Sequence, residues 1–266
     1  MAAFARPARG APCPTPPCGR RGRPSPKAGR AAPIWLFDLD NTLHDASHAS
    51  FDALHVAMGE YVAAHLGIDS DAAGRLRESY WLRYGATLLG MVRHHGVRAA
   101  HFLEQTHRLP GLETRLRTSA HDRAALARLP GRKFIVTNAP RAYAMRVLRR
   151  LRLLRHLDGV ITIEDMTMFG ALRPKPDARM LRRIATRLGA SPGRCVLVED
   201  TLGHLKAAGS VGMRTVWMQR YLGGRFRGTR RDLVNAAASS APARRSCPKP
   251  PYLCAKIGAL RDLARM

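Results

Sequence analysis

The sequence predicts an α/β fold, a doubly wound parallel sheet with an all-helical block inserted after its first strand. Three observations predict it. Beyond residue 130, short apolar runs alternate with amphipathic stretches, the β-α-β-α rhythm of a parallel sheet. Those runs are apolar at every position rather than at alternate ones, as strands covered on both faces are. Between the apolar run at 34–37 and the one beginning at Phe134, the periodicity is helical throughout. A chain of 266 residues has room for one or two domains and a sizeable core.

Taken in order, residues 1–32 form a Pro-, Gly- and Arg-rich tail with nothing to bury, and are read as disordered. Residues 33–37 make the first strand. Phe51, Leu54, His55, Met58, Tyr61, Val62 and Leu66 fall at i, i+3, i+4 and i+7, a helix that Gly67 ends. Further helices are expected around Leu76 to Tyr84, Leu88 to His95, Ala99 to Arg108 and Ala120 to Leu129, with a break at Pro110-Gly111. The insert thus spans 46–129, between the sheet segments 33–45 and 130–222. Phe134 to Asn138 reads as an apolar strand with a polar tip, and Pro140 as the first position of the helix Arg141 to Leu151. Gly159 to Thr162 is a short strand, Pro176 to Leu188 a helix, Arg194 to Asp200 a strand ending in acids, Leu202 to Ala208 a helix and Arg214 to Met218 a strand. Residues 223–247 read as a low-order linker. In the stretch 248–266, Tyr252 to Ala255 is expected as an edge strand and Ile257 to Leu263 as a terminal helix. Such a Rossmann-like sheet binds ligands at the carboxyl ends of its strands.

The formal charge of +26 is uneven. The ends at 1–32 and 219–266 hold +16 of it, and 33–218 the remaining +10. A moderately basic middle suits an anionic substrate. The ends carry few aromatics among their basic residues, Phe4, Tyr221, Phe226 and Tyr252, which argues against a single-stranded nucleic-acid platform. Cys13, Cys18, Cys195, Cys247 and Cys254 show no C-x-x-C pair and no common zinc spacing, and are read as reduced thiols of a cytoplasmic protein. No apolar run approaches a membrane span, and no secretory h-region precedes the first strand.

The chemistry begins at Asp38-Leu39-Asp40-Asn41-Thr42. Residues i and i+2 of an extended chain point to one side, so both carboxylates face one small volume at a strand tip. They coexist there only if one is protonated or a cation lies between them. That means a metal, an acid/base pair, or both. Thr137 and Asn138 follow the next strand and Glu199-Asp200 a later one, while Lys175 is held between Pro174 and Pro176. Carboxylates without surplus imidazole or thiolate suit a hard cation such as Mg2+. A cation, an ammonium and neutral donors together suit a phosphoryl group. His94, His95, His101 and His107 lie in the helical block without ligand-spaced partners and are read as solvated or core residues.

These residues resemble the haloacid dehalogenase-like hydrolases. Asp38-Leu39-Asp40-Asn41-Thr42 matches the first motif of that family, Thr137 the second, Lys175 the third and Glu199-Asp200-Thr201 the fourth, over about 33–222. The wording Phe37-Asp38-Leu39-Asp40-Asn41-Thr42-Leu43 and the stretch Tyr84-Gly85-Ala86-Thr87-Leu88 resemble the pyrimidine 5′-nucleotidase branch. One departure is His204, where relatives often carry Asn or Asp to support the metal.

The resemblance implies an Mg2+-dependent phosphomonoesterase for a nucleoside monophosphate. In it Asp38 is the nucleophile and Asp40 the acid and then the base, protonated at the outset. Thr137, Asn138 and Lys175 bind phosphate, and Asp38, the Asp40 carbonyl, Asp200 and Glu199 form the metal site, with Glu199 either ligand or orienter. The helical insert is then a cap, with Arg83, Tyr84 and Thr87 as expected leaving-group contacts. A dehalogenase has no use for Asp40 as an acid. A sugar-phosphate phosphatase or phosphomutase stays open, as does, in another class, a nucleic-acid-binding protein acting through its basic ends.

Overall fold

The computed structural model describes residues 32–117, 119–222 and 250–266. The expected disordered tail, apart from Ala32, and the expected linker at 223–247 lie outside them. Six strands form one parallel sheet: β1 (Ile34–Phe37), β2 (Arg132–Val136), β3 (Gly159–Ile161), β6 (Cys195–Glu199), β7 (Arg214–Met218) and β8 (Ala255–Ile257). A separate two-stranded antiparallel ribbon, β4 (Thr167–Met168) and β5 (Ala171–Leu172), lies between β3 and β6 in the chain. The order across the main sheet is β3-β2-β1-β6-β7-β8. The chain thus winds outward from β1 to β3, then crosses back to β6 and winds the other way. The reversal leaves a crevice between the carboxyl ends of β1 and β6.

The alternation within each strand divides the core. Trp35, Phe37, Ile135, Val196, Val198, Val216 and Met218 pack on one face of the sheet with Tyr143, Val147 and Leu148 of α7 (Arg141–Arg150). Leu126 of α6 (Ala120–Arg128), Leu112 of α5 (Leu112–Arg115) and the terminal turn Leu260–Arg265 join that layer. Ile34, Leu36, Phe134, Val136 and Leu197 pack on the other face with α8 (Ala178–Arg187) and α9 (Leu202–Ser210). All of β1 and β6 is buried, which explains why neither run alternates in polarity.

The inserted helices α1 (Asp52–Leu66), α2 (Ser70–Tyr84), α3 (Thr87–His95) and α4 (Ala99–Thr106) have an apolar cluster of their own. It contains Val62, Ala73, Tyr80, Leu88, Met91, Phe102 and Leu103, with Ile163 from the sheet side. Gly67 ends α1 at φ +65°, the left-handed cap expected of it. Ser47–Phe51, before α1, is a wider π-type turn.

Several boundaries differ from the sequence reading. β2 starts two residues early, on Arg132 and Lys133, and ends at Val136, so Thr137 and Asn138 lie beyond it. The terminal strand is Ala255–Ile257, not 252–255, and the segment after it is a 3-10 turn. No helix among the described residues is long and apolar enough to cross a membrane.

Candidate active site

Phe37 closes β1, but the next backbone N–H, that of Asp38, still donates to Val198 of β6 at 3.0 Å. This extra bond places Asp38 at the mouth of the crevice. Asn41 then turns the chain in the left-handed region, at φ +56°. Asn tolerates that conformation better than most residues, and here its Oδ1 accepts from the Ser47 backbone N–H at 3.0 Å.

Lys175, in the segment between β5 and α8, reaches the same point. Its ammonium, 1% exposed, donates to Asp38 Oδ1 and to Glu199 Oε2, both at 2.7 Å. Its backbone is clamped: Lys175 N–H donates to Asn138 Oδ1 at 2.9 Å, and Asn138 Nδ2 donates to the Lys175 carbonyl at 2.8 Å. Both ends of the Asn138 amide are therefore engaged in holding Lys175. Thr137 is buried beside it, its oxygen accepting from the Ala139 N–H at 3.0 Å, which leaves its hydroxyl hydrogen for another acceptor.

Glu199 closes β6. Besides Lys175, it has Thr201 N–H on Oε1 at 3.2 Å and His204 Nδ1 within 3.1 Å of Oε2. Oxygens of Asp38, Glu199 and Asp200 all lie within 4.8 Å of one another, and all three residues are buried. The Asp40 carboxylate is not of this group.

The charges are unbalanced. Burial above all, then the neighbouring Glu199 charge, push Asp38 up to about 7 against the pull of Lys175. Burial would raise Glu199 too, but Lys175 and then His204 hold it far below the usual carboxylate range. Desolvation opposes the Lys175 ammonium, yet Asp38 and Glu199 keep it above its ordinary value. One buried ammonium is thus shared by two buried carboxylates at equal distance, and it is burial that chiefly raises Asp38.

Asp40 points elsewhere. Its Oδ1 accepts from His44 Nε2 at 2.9 Å and from the Tyr143 hydroxyl at 2.7 Å. Burial would raise its pKa, but these two donors outweigh burial and hold it below the usual range. The two aspartates are pushed apart, with Asp38 and not Asp40 as the raised member. The protonated Asp40 expected from the sequence is therefore not favoured by the side chains around it.

Arg83, Tyr84 and Thr87 are engaged within α2 and α3. The Thr87 hydroxyl donates to the Arg77 carbonyl at 3.1 Å, Tyr84 Oη lies 2.6 Å from His94 Nε2, and the Arg83 guanidinium stands 5.5 Å from the centre of the Tyr84 ring. The turn between those helices does reach the site. A Cβ on Gly85 would stand 3.5 Å from Pro176 Cδ, next to Lys175. His95 and His101 likewise hydrogen-bond tyrosines, Tyr80 at 2.6 Å and Tyr61 at 2.9 Å.

Sequence reasoning missed His44, Tyr143 and the role of His107. His44 stands four residues from Asp40, and Tyr143 lies in the first turn of the helix that follows Thr137, a position aimed back at the strand tips. His107 packs edge-on to the Tyr143 ring, centroids 5.8 Å apart. Burial pushes its pKa down to about 4, although Asp40 pulls it upward. Between pH 6.5 and 4 the unfolded chain therefore binds a proton that folded His107 refuses, so acidification through that window destabilises the fold. His107→Gln is expected to remove about 1–2 kcal/mol of that acid sensitivity, allowing for its partial solvent contact. Urea midpoints at pH 7.5 and 4.5 check this; equal losses for wild type and variant would refute it.

The family model of the haloacid dehalogenase-like hydrolases matches residues 34–212. Phosphate metabolism protein 8 of Saccharomyces cerevisiae is 24% identical over 201 residues, covering 71% of this chain and 62% of that protein, so the chain spans less than two thirds of that relative's length. CbbY from Rhodobacter sphaeroides, solved in complex with phosphate, aligns with a TM-score of 0.55 at 19% identity, over 87% of this chain and 96% of that one. YfnB from Bacillus subtilis, a putative HAD-hydrolase bound to magnesium, aligns with a TM-score of 0.52 at 17% identity, over 88% and 97%. At these identities the two solved structures show a shared fold.

Proposed function

This chain belongs to the haloacid dehalogenase-like hydrolase family, and from that premise we propose that it hydrolyses phosphomonoesters through an aspartyl-phosphate on Asp38. Nucleoside monophosphates are the proposed substrates, pyrimidine nucleotides foremost. The observation that carries the reading is the buried ammonium of Lys175, 2.7 Å from both Asp38 and Glu199. It sets a fixed positive charge beside the proposed nucleophile, where a phosphoryl group would bring its negative oxygens.

The residues fit a divalent cation. Three buried carboxylates face one ammonium, and their oxygens lie within 4.8 Å of one another. All the donors are oxygens, which suits Mg2+. Asp38 and Asp200, with the Asp40 backbone carbonyl, would hold it, while Glu199, tied to Lys175 and Thr201, orients from behind. When bound, the cation supplies the charge that keeps Asp38 ionised beside an incoming anion.

The rest is work for the side chains. A carboxylate oxygen of Asp38 attacks phosphorus, and the bond to the leaving oxygen breaks. That oxygen takes a proton from Asp40. Water then attacks phosphorus, its proton passes to Asp40, and the bond from phosphorus to Asp38 breaks to free phosphate. Lys175 and the Thr137 hydroxyl offset the charge on the phosphoryl oxygens. His44 and Tyr143 favour Asp40 as carboxylate, so it gains its proton only once the substrate's own negative charge stands beside it. Helices α1 to α4 act as a cap that excludes water and reads the leaving group, with the Gly85 turn as its nearest part.

The test is phosphate release from UMP, CMP, AMP, GMP and a set of sugar phosphates, with Mg2+ or with EDTA. The proposal expects release only with the cation and fastest from UMP or CMP. Preference for a sugar phosphate would move the assignment to that substrate class. Release that EDTA leaves unchanged would remove the metal.

A further inference from the structure

The donors on Asp40 come from two parts of the chain. His44 is fully buried and Tyr143 is 2% exposed, whereas the Asp40 side chain between them is 20% exposed. Both donors meet the same oxygen, Oδ1. Among the described residues Oδ2 receives no hydrogen bond. His44 must donate through Nε2, because a carboxylate only accepts; its Nδ1 has no partner among the described residues. Tyr143 is itself placed by Ser50, whose Oγ lies 2.9 Å from the phenol oxygen. Ser50 sits in the wide turn Ser47–Phe51, a geometry frequent at functional sites.

We propose that Tyr143 and His44 are positioning residues for proton transfer, pinning one oxygen of Asp40 so that the other faces the leaving group and later the water. This rests on the reading of Asp40 as the acid and base. A carboxylate held at one oxygen by two buried donors cannot rotate, so the proton always stands on the same, outward oxygen. The arrangement matters in proportion to the leaving group's need of a proton. An alkoxide needs it; a nitrophenolate does not.

That difference supplies the test. Wild type, Asp40→Asn, Tyr143→Phe, His44→Gln and His44→Ala are assayed with Mg2+ on p-nitrophenyl phosphate and on the alkyl phosphate that wild type turns over fastest. Asp40→Asn is expected to lower kcat/KM, which reports the step that expels the leaving group, by about 10²-fold or more on the alkyl ester and far less on the nitrophenyl ester, while the later water step, common to both, slows on both alike. Tyr143→Phe keeps the ring against His107 and is expected to show the same split in kcat/KM at about 10-fold. His44→Gln, whose amide can still donate to Oδ1, is expected to keep most of the alkyl activity that His44→Ala loses. Turnover of the nitrophenyl ester shows that each variant has folded.

If Asp40→Asn shows no split, the role given to Asp40 is wrong. If Asp40→Asn splits but the kcat/KM of Tyr143→Phe falls equally on both esters or on neither, the positioning role is wrong. Should Tyr143→Phe fail to fold, the contrast between His44→Gln and His44→Ala decides in the same way.

Discussion

Replacing Asp38 by Asn is expected to abolish phosphate release and, at the same time, to make the cation-free protein more stable at pH 8. The first effect follows from the nucleophile. Asn cannot form the phosphoenzyme, and single losses of covalent nucleophiles cost about 10⁴-fold or more. The second follows from the sign of the Asp38 shift. Folding raises this carboxyl from 3.8 to about 7. Between those values the native state binds a proton that the unfolded chain has released, so stability falls as pH rises through the window. Above it the ionised Asp38 costs roughly 2–4 kcal/mol, a cost Asn does not incur. Melting in EDTA at pH 5 and pH 8 measures this. The variant should gain on wild type as pH rises. Equal melting at pH 8, or surviving Mg2+-dependent turnover, would overturn the assignment.

Lys175→Met should act in the opposite direction on stability. Methionine keeps an unbranched apolar chain in place of the lysine stem but leaves Asp38 and Glu199 buried with no ammonium between them. Breaking one side of a buried charge pair typically costs about 3–5 kcal/mol. Glu199 loses the chief partner that holds it low, so its pKa rises and the fold weakens further as pH climbs. Protonating the two carboxyls removes the conflict, so the deficit should shrink near pH 5. A divalent cation should stabilise this variant more than wild type, because it now answers a larger excess of negative charge. Turnover should fall by about 10³-fold with the loss of phosphoryl charge neutralisation. Wild-type melting at pH 8 without cation would show that Lys175 is not the keystone of the pocket.

Much of this site was legible because it follows from few rules. Apolar runs such as 34–37 and 195–199 announce doubly covered strands, and polar residues at their carboxyl ends must then share one edge. This brought Asp38, Glu199 and Asp200 together before any coordinates, and Lys175 was singled out by the prolines on either side of it. The rest was hidden for physical reasons. Arg132 and Lys133 mask the start of β2, because a partly exposed strand end tolerates charge. The ribbon β4–β5 has strands of two residues, too short for any periodicity, though Phe169-Gly170 with φ of +53° and +72° is a turn signal. His44 and Tyr143 stand 99 positions apart, and only tertiary packing shows that they meet on one oxygen of Asp40. Their effect on that carboxylate runs against the protonated Asp40 that the family resemblance implied, an order of acidity on which the Asp38-Leu39-Asp40 spacing itself is silent.

The helices α1 to α4 enclose an apolar interior that borrows little from the rest of the fold, Ile163 being its one buried member from beyond the insert, with Leu172 of β5 packed against it. On the proposed reading of these helices as a cap, exchanging them for those of a relative is expected to leave the layers around β1 and β6 intact. Grafts that keep Gly85 against Pro176 are then a route to new leaving-group preferences on an unchanged reaction centre, with the hydrolytic step inherited whole and only its clientele altered.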